Sequence, residues 1–146
     1  MRKVIILIIC STGIFTGLTL FRNAHKPTYL NKPYMFIHVW ADWCKPCIEE
    51  LPKLNHEIQS YDSLYKILYT IDSSDVTMKM IKRLPLNNFD TIIYTKSKIT
   101  KFDYLIDIHD RYTVPRNLFF RNSEHIATYK GVISDFDSLY LASFQQ

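Results

Sequence analysis

The sequence predicts a three-layer α/β fold in one domain, and three features of its 146 residues point to that fold. Apolar runs of strand length alternate with segments of helical period, in the order β-α-β-α-β-α-β-β-α. The last two strands are joined by the short polar segment 121–124, which is typical of an antiparallel hairpin. The composition, with 47% hydrophobic and 22% charged residues, is that of an ordinary globular protein. We therefore expect a central mixed sheet between two layers of helices.

The first strand and the first helix give the clearest signals. The run 34–40 (YMFIHVW) is apolar on both faces except at His38, as in a central strand that is covered on both sides. From Cys47 onward the apolar residues recur at helical spacing, and they are Ile48, Leu51, Leu54 and Ile58. The sequence therefore predicts a buried strand that leads directly into an amphipathic helix.

The later elements follow in a regular order. A second buried strand, 65–71 (YKILYTI), ends at a turn and helix-cap signal over 72–75. After it we expect a helix over 76–84, a strand over 89–94, a helix over 102–112, strands over 117–120 and 125–129, and a helix over 135–144.

Residues 1–24 differ from the rest of the chain. Arg2 and Lys3 precede the apolar run 4–21, which is the pattern of a secretory signal peptide or a membrane anchor. At 1.5 Å per residue this run would span about 27 Å, enough for a bilayer core. We expect membrane attachment through 4–21; a cleaved signal, a lipoprotein at Cys10 and a buried helix are the alternatives. Residues 25–32 then form a spacer and 33–146 the domain, which would be periplasmic, either anchored or secreted.

The distribution of charge argues against a nucleic-acid partner. The formal net charge is +4, but residues 1–24 contain three basic residues and no acidic one. The rest of the chain holds 15 basic and 14 acidic residues, so it has no concentrated basic face to offer a phosphate backbone.

The chemistry centres on Cys44 and Cys47, which two residues separate. Such a spacing is typical of a redox dithiol or of half of a zinc site, and it can also arise by coincidence. The sequence has no second cysteine pair, and the histidines lack the spacing of zinc ligands. The pair also lies where a buried strand turns into a helix, which favours the dithiol.

That placement predicts different roles for the two thiols. Cys44 at the helix N-terminus would meet unpaired backbone N–H groups that favour the thiolate, and the charge of Lys45 adds to this effect. Pro46 suits the first helical turn because it lacks the N–H that would have no partner there. Glu49 and Glu50 oppose the effect, but weakly if they face solvent. Cys47, one turn inward, is shielded and can resolve a mixed disulfide formed at Cys44.

Residues 41–47 (ADWCKPC) resemble the active site of the thioredoxin superfamily, whose usual form is W-A-x-W-C-x-P-C. Three further features match the family, and they are Pro52 in the first helix, Thr113-Val114-Pro115 at the cis-proline loop, and Gly131 after the terminal hairpin. The resemblance covers about residues 33–144. It implies a thioredoxin-like α/β/α sandwich and a thiol–disulfide oxidoreductase with catalytic Cys44 and Cys47 and a cis Val114–Pro115 bond facing Cys44.

The spacing of the motifs indicates which members of the thioredoxin superfamily the sequence resembles. The long segment between Asp72 and Pro115 carries an inserted helix and strand, 76–84 and 89–94. This insertion and the N-terminal apolar segment are similar to the membrane-tethered bacterial oxidoreductases that serve cytochrome c maturation. Two positions depart from the family pattern: Arg116 stands where threonine is frequent, and His38 stands where many relatives bury an acid.

The resemblance also implies partners. Proteins that carry dithiols or disulfides would be the substrates, contacted through Trp43, Lys45, Pro46, Val114 and Arg116. An upstream membrane electron donor would reduce the enzyme, and no cofactor is expected beyond the Cys44–Cys47 disulfide. The expected direction is reductive. Net oxidation or isomerisation, and a module that holds a soft metal such as Cu(I), are the alternatives.

His38 is open to two interpretations. As a polar residue in a buried strand it needs a hydrogen-bonding partner or a chemical task. It is either a core residue with a partner or the base that accepts the proton of Cys47.

Overall fold

The computed structural model describes residues 32–72, 74–94 and 113–144 of the chain. In chain order their elements are β1 Tyr34–Trp40, α1 Lys45–Glu57, β2 Leu64–Thr70, α2 Asp75–Ile81, β3 Thr91–Tyr94, β4 Arg116–Arg121, β5 Glu124–Lys130 and α3 Phe136–Phe144. A 3-10 turn, Ile58–Ser60, continues α1. The predicted leader over 1–24, nearly all of the spacer and the predicted helix over 102–112 lie outside the described residues.

The five strands form one sheet in the order β3-β2-β1-β4-β5. β1 pairs with β2, and β2 with β3, in parallel, whereas β4 is antiparallel to both β1 and β5. The predicted mixed sheet is therefore confirmed, and the inserted strand β3 forms one of its edges. Because β1 is the middle strand, the segment that leaves its carboxyl end starts at the centre of the sheet.

Several boundaries differ from prediction for local reasons. α2 ends at Ile81 rather than at residue 84, with Lys82 as its C-cap. The N–H groups of Arg83 and Leu84 both bond to the carbonyl of Met80, which tightens the last turn and ends the helix. β3 begins at Thr91 rather than at residue 89. The side chain of Asp90 is bonded to β2, because its carboxylate accepts the backbone N–H of Lys66 at 2.7 Å. The hairpin turn consists of Asn122 and Ser123, both at positive φ, as a two-residue type I′ turn requires.

The core lies on both faces of the sheet because β1 is buried on both. Phe36 and Trp40 belong to one cluster, which also contains Cys44, Cys47 and residues of the three helices. Ile37 and Val39 belong to a second cluster on the opposite face. Since side chains alternate along a strand, His38 shares its face with Phe36, whose ring lies 6.4 Å from the imidazole. The polar side chain of His38 is thus buried on the face that carries the cysteines.

Within the part of the chain that the structure describes, no helix has both the length and the apolar character needed to cross a membrane. The predicted anchor over 4–21 lies outside that part, and membrane attachment stays a prediction.

Candidate active site

The two cysteines are joined in a disulfide at the start of α1. Cys44 is the N-cap residue of the helix, and its sulfur accepts the backbone N–H of Cys47 at 3.3 Å. The Cα atoms of the pair are 5.3 Å apart. Because the first N–H groups of a helix have no partner within it, they stabilise a thiolate at the N-cap position. The disulfide therefore lies where its reduction would leave a stabilised anion on Cys44.

The residues around the cysteines give the site an accessible surface. Trp43 is 56% exposed, and Lys45 and Pro46 are exposed as well. Lys45 lies 3.7 Å from the carboxylate of Glu49, which is also exposed, so solvent and this partner both weaken its effect on Cys44. The helix N-terminus is thus the stronger influence on the Cys44 thiolate.

The segment before β4 also lies beside the site. The Val114–Pro115 peptide bond is cis. The pairing of Val39 with Arg116 places Pro115 level with Trp40, at the end of β1 from which the cysteine segment departs. Val114 packs against the core cluster that contains both cysteines. The sequence predicts that Arg116 contacts the substrate, but its side chain is only 3% exposed. Arg116 pairs with Val39, which is buried on the face of the sheet opposite the cysteines.

Behind the cysteines, His38 meets two partners. Its Nδ1 lies 2.7 Å from Oδ1 of Asn117 on β4, and its Nε2 lies 3.2 Å from Oε1 of Glu50 on α1. The other carboxylate oxygen of Glu50 accepts the backbone N–H of Ile133 at 2.9 Å. All three side chains are buried, so a polar network links β1, α1, β4 and the segment that follows β5.

Burial shifts both titratable groups toward their neutral forms. Desolvation lowers the pKa of His38 to about 4, although the hydrogen bond with Asn117 acts in the opposite direction. Desolvation raises the pKa of Glu50 to about 7, although the N–H of Ile133 favours the carboxylate. Near neutral pH the imidazole is therefore neutral, while Glu50 exists in both protonation states.

Glu50 and Asn117 are the site residues that sequence reasoning missed. Glu50 does not face solvent beside Glu49: it is 6% exposed and points into the protein. Its spacing carries a signal, since it lies three residues after Cys47 and four before Leu54 on the buried stripe of α1. Asn117 carries no such signal, because its contact with His38 depends on the register between β1 and β4.

A second polar network ties the cysteine segment to α2. The Asp42 carboxylate accepts the hydroxyl of Ser74 at 2.6 Å and that of Thr77 at 2.7 Å. Burial is the largest single effect on Asp42 and raises its pKa, but the hydrogen bonds to the carboxylate together outweigh burial and hold the pKa below its usual value. Ser74 is the N-cap of α2, so the turn that precedes Cys44 is anchored to the start of the inserted helix.

A groove with a volume of about 340 Å³ opens beside the cysteine pair. It is lined by Pro46, Glu49, Glu50, Lys53, Val132, Ile133 and Ser134. Pro46 lies between the two cysteines in the sequence, so the groove begins at the cysteine segment. Glu50, which contacts His38, forms part of the groove wall. Among residues 32–72, 74–94 and 113–144, no three His, Cys, Asp or Glu side chains are grouped to hold a metal ion.

The chain matches no protein-family model, and no curated protein matches it in sequence. Its structure nevertheless resembles several solved structures. A putative thiol:disulfide interchange protein DsbE from Chlorobium tepidum has a TM-score of 0.61 at 18% identity, over 79% of this chain and 82% of the other. StoA from Bacillus subtilis has a TM-score of 0.53 at 22% identity, over 75% and 81%.

A putative thioredoxin from Neisseria meningitidis has a TM-score of 0.59 at 20% identity, over 79% of this chain and 75% of the other. The shared architecture extends over most of each chain, although few residues are identical. With its mixed five-stranded sheet and a Cys44–Cys47 disulfide at the start of α1, the chain has a thioredoxin-like fold.

Proposed function

We propose that the protein is a thiol–disulfide oxidoreductase that exchanges its Cys44–Cys47 pair with disulfides or dithiols of protein substrates. The observation that carries this proposal is the position of Cys44, which caps α1 and is bonded to a fully buried Cys47 one turn inward. The helix terminus activates one thiol, and burial protects the other until the first has reacted. This asymmetry is what two-step exchange requires.

In the reductive direction, the Cys44 thiolate attacks one sulfur of a substrate disulfide, and the other substrate sulfur leaves as a thiolate. A mixed disulfide then joins Cys44 to the substrate. Cys47 loses its proton and attacks the sulfur of Cys44, so that the second substrate sulfur leaves. Two electrons pass from the protein to the substrate, and the Cys44–Cys47 disulfide forms again.

The buried pair of His38 and Glu50 supplies the base for the second step. Cys47 and Glu50 are three residues apart on one buried face of α1, and Glu50 contacts His38. A neutral imidazole and a carboxylate that is partly ionised near pH 7 can both accept a proton. The proton of Cys47 therefore passes to this pair, and Glu50 returns it to water at the groove.

The substrate surface consists of the exposed residues beside Cys44. Trp43 and Pro46 offer apolar contact, and Lys45 offers a charge at the rim. Pro115 has no N–H, and the backbone of Val114 beside it suits an extended substrate segment that pairs in β fashion. Since Arg116 is buried, it takes part through the position of β4 rather than by touching the substrate.

We also propose that the domain works outside the cytoplasm and draws electrons from a membrane donor. The apolar run 4–21 behind Arg2 and Lys3 supports membrane attachment. One structural neighbour, from Mycobacterium tuberculosis, is described as a secreted disulfide oxidoreductase homologous to Escherichia coli DsbE, with a TM-score of 0.51 at 20% identity over 73% of this chain. A fusion of residues 1–32 to a periplasmic reporter tests the location, because a cytoplasmic reporter signal would contradict it.

Trapping tests the exchange mechanism. The Cys47→Ser variant should accumulate mixed disulfides with substrate proteins through Cys44, whereas Cys44→Ser should accumulate none, because the resolving thiol is shielded. Equal trapping by both variants, or none by either, would contradict the proposal. Cu(I) bound in competition with a strong chelator, together with no reduction of a protein disulfide, would instead favour metal handling.

The reduction potential of the Cys44–Cys47 pair distinguishes the two directions of exchange. Equilibration with glutathione or a dithiol buffer should give a value near about −270 mV if the protein is a reductase. A value near about −120 mV would indicate an oxidant and would overturn the reductive direction, though not the exchange chemistry.

A further inference from the structure

The orientation of the Asn117 side chain determines how His38 is protonated. The amide nitrogen of Asn117 donates to the carbonyl of Gly131 at 3.1 Å, so its oxygen faces Nδ1 of His38 at 2.7 Å. The reversed amide would place two oxygens against each other at Gly131 and would lose that hydrogen bond. Because Asn117 presents an acceptor, Nδ1 must carry the hydrogen.

A hydrogen on Nδ1 leaves a lone pair on Nε2 of the neutral imidazole. That lone pair faces Oε1 of Glu50 at 3.2 Å, and within the described residues neither atom has a hydrogen-bond partner elsewhere. Two acceptors cannot bond to each other unless a proton lies between them. The contact is therefore satisfied when the pair holds one proton, either as a Glu50 O–H that donates to Nε2 or as an imidazolium that donates to the carboxylate.

One short segment after β5 orients both members of the pair. Gly131 supplies the carbonyl that fixes Asn117, and Ile133 supplies the N–H that fixes Oε2 of Glu50 at 2.9 Å. The N–H of Gly131 in turn donates to the carbonyl of Pro115 at 2.9 Å. Gly131 adopts φ of +101°, a conformation that side chains disfavour, so the segment relies on glycine to make these contacts.

We infer that Asn117 is a positioning residue, which fixes the Nδ1–H tautomer of His38 so that its Nε2 lone pair meets Glu50 and the pair stores one proton behind the cysteines. The inference about proton storage rests on the proposed function, whereas the tautomer does not depend on it. In the other tautomer an Nε2–H would donate to the Glu50 carboxylate and stabilise it, which would make Glu50 a weaker base toward Cys47.

Other titratable groups lie on the same face of the sheet, and none of them replaces Asn117 as the partner of Nδ1. Lys66 on β2 donates its ammonium to the carbonyl of Ile58 at 3.2 Å, at the opposite end of α1 from the cysteines. Tyr129 on β5 is paired in register with Asn117, and its hydroxyl lies 3.5 Å from that of Ser143. The tautomer of His38 is therefore set by the contact with Asn117.

Nitrogen NMR of the oxidised full-length protein, labelled with ¹⁵N-histidine, tests the inference at pH 7. The His38 signal is identified by its absence from the His38→Gln variant. We expect a pyrrole-type shift for Nδ1 and a pyridine-type shift for Nε2. The reverse assignment, with a pyridine-type Nδ1 and a pyrrole-type Nε2, would overturn the inference, and this measurement needs no variant of Asn117.

The Asn117→Ala variant tests the cause, and Asn55→Ala is its matched control. Asn55 is a buried asparagine with comparable hydrogen bonds, to Asn87 and Asn88, at the far end of α1. We expect Nε2–H to become populated in Asn117→Ala, while Asn55→Ala keeps the wild-type tautomer. An unchanged tautomer in Asn117→Ala, or the same change in both variants, would overturn the role of Asn117. If Asn117→Ala does not fold, Asn117→Asp, which keeps the acceptor, should keep a hydrogen on Nδ1; its absence there would count against the inference.

A kinetic measurement separates this inference from the proposed function. In Asn117→Ala, release of a mixed disulfide by Cys47 at pH 7 should slow by about tenfold, less than when a general base is removed entirely, while Asn55→Ala should release it at the wild-type rate. Unchanged release in Asn117→Ala would overturn proton storage. If Cys47→Ser traps no mixed disulfide while the wild type shows the expected tautomer, the proposed function is contradicted and the positioning role stays supported.

Discussion

Cys44 and Cys47 are three residues apart, yet their surroundings differ in two ways that decide their chemistry. The sulfur of Cys44 accepts an N–H at the helix terminus and 5% of the residue's surface is exposed, whereas Cys47 is fully buried. Exposed Trp43 and Pro46 flank Cys44 and leave an approach for a substrate. At the scale of single residues, the thiol that reacts first is chosen by its position on the helix.

We predict that alkylation modifies Cys44 in preference to Cys47. The helix terminus should lower the pKa of Cys44 below the ordinary thiol value of about 8.5 once the disulfide is reduced. Iodoacetamide labelling of the reduced protein at pH 6–7, followed by mass spectrometry, measures the preference. Urea-denatured protein serves as the control, in which the two cysteines should react alike. Faster labelling of Cys47 in the folded protein would contradict the assignment.

His38→Leu should leave the alkylation rate of Cys44 nearly unchanged and slow release of the mixed disulfide by roughly 100-fold. The physical reason is that leucine fills the space but cannot accept the proton that Cys47 loses. His125→Leu, at an exposed position on β5, is the control and should release at the wild-type rate. If release by His38→Leu is unchanged between pH 6 and 8 and only stability falls, His38 is a packing residue.

Glu50→Gln should remove part of the pH dependence of stability. Burial raises the folded-state pKa of Glu50 from 4.5 to about 7, so the folded state holds its proton more tightly than the unfolded state does. The stabilisation of the folded state that results is fully present below pH 4.5 and is lost as the pH rises through about 7. The free energy of unfolding of the wild type, relative to Glu50→Gln, should therefore fall by about 1–2 kcal/mol between pH 5 and pH 8.

Urea denaturation of the oxidised proteins at each pH measures this difference. Glu49→Gln is the matched control, because it makes the same substitution at the exposed neighbouring position on the same helix. His38 acts in the opposite sense: its pKa is lowered to about 4, so its contribution is present above pH 6.5 and is lost as the pH falls. A wild-type profile that runs parallel to that of Glu50→Gln from pH 5 to 8 would show that Glu50 is not shifted.

At the scale of elements, the inserted helix α2 is joined to the active-site turn through its own N-cap. Ser74 accepts the N–H of Thr77 at 3.1 Å and donates its hydroxyl to Asp42 at 2.6 Å. The Ser74 side chain therefore accepts a free N–H at the start of α2 and also orients Asp42, the residue before Trp43. The insertion extends the sheet and also supports the segment that carries Cys44.

Ser74→Ala should destabilise the protein by about 1 kcal/mol, the usual effect of losing an N-cap side chain. It should also change the alkylation rate of Cys44, because Asp42 loses one of its two hydroxyl partners. Ser63→Ala, at an exposed position, serves as the control for both measurements. Loss of stability without any change in Cys44 reactivity would confine Ser74 to capping.

At the scale of the whole molecule, α3 closes the face of the sheet on which the cysteines lie. Its fully buried Phe136 packs with ring centroids 5.0 Å from Phe36 on β1 and 6.2 Å from Phe119 on β4. The helix and the central strands thus share one aromatic core with the buried part of the site. The rigidity of the site depends on this core.

Phe136→Ala should lower the free energy of unfolding by about 3–5 kcal/mol, because it removes a fully buried ring and leaves a cavity. Leu141→Ala on the same helix is the control and should cost much less, since Leu141 is 46% exposed. Urea titrations of both variants give the comparison. Equal losses in the two variants would mean that the helix, rather than its buried ring, sets the stability.

The sequence by itself determined the features that are encoded locally. Continuous apolarity predicts β1 and β2 to within one residue at each end, and helical spacing predicts α1 and α3. The cysteine segment is equally local, since the transition from strand to helix places Cys44 at the N-cap. These features follow from interactions between residues close in the chain, and a short window of sequence contains all of their determinants.

Only the tertiary structure decided how the buried polar groups are paired. His38 meets Asn117 across 79 residues of chain, and Glu50 meets Ile133 across 83. Arg116 is buried for the same reason, since the face of β4 that it occupies depends on the pairing with β1. Strand register and helix packing bring such groups together, and a shift of one residue would turn each strand side chain to the opposite face. The protonation of the site is therefore a property of the assembled fold, while its reactive cysteine is a property of the local sequence.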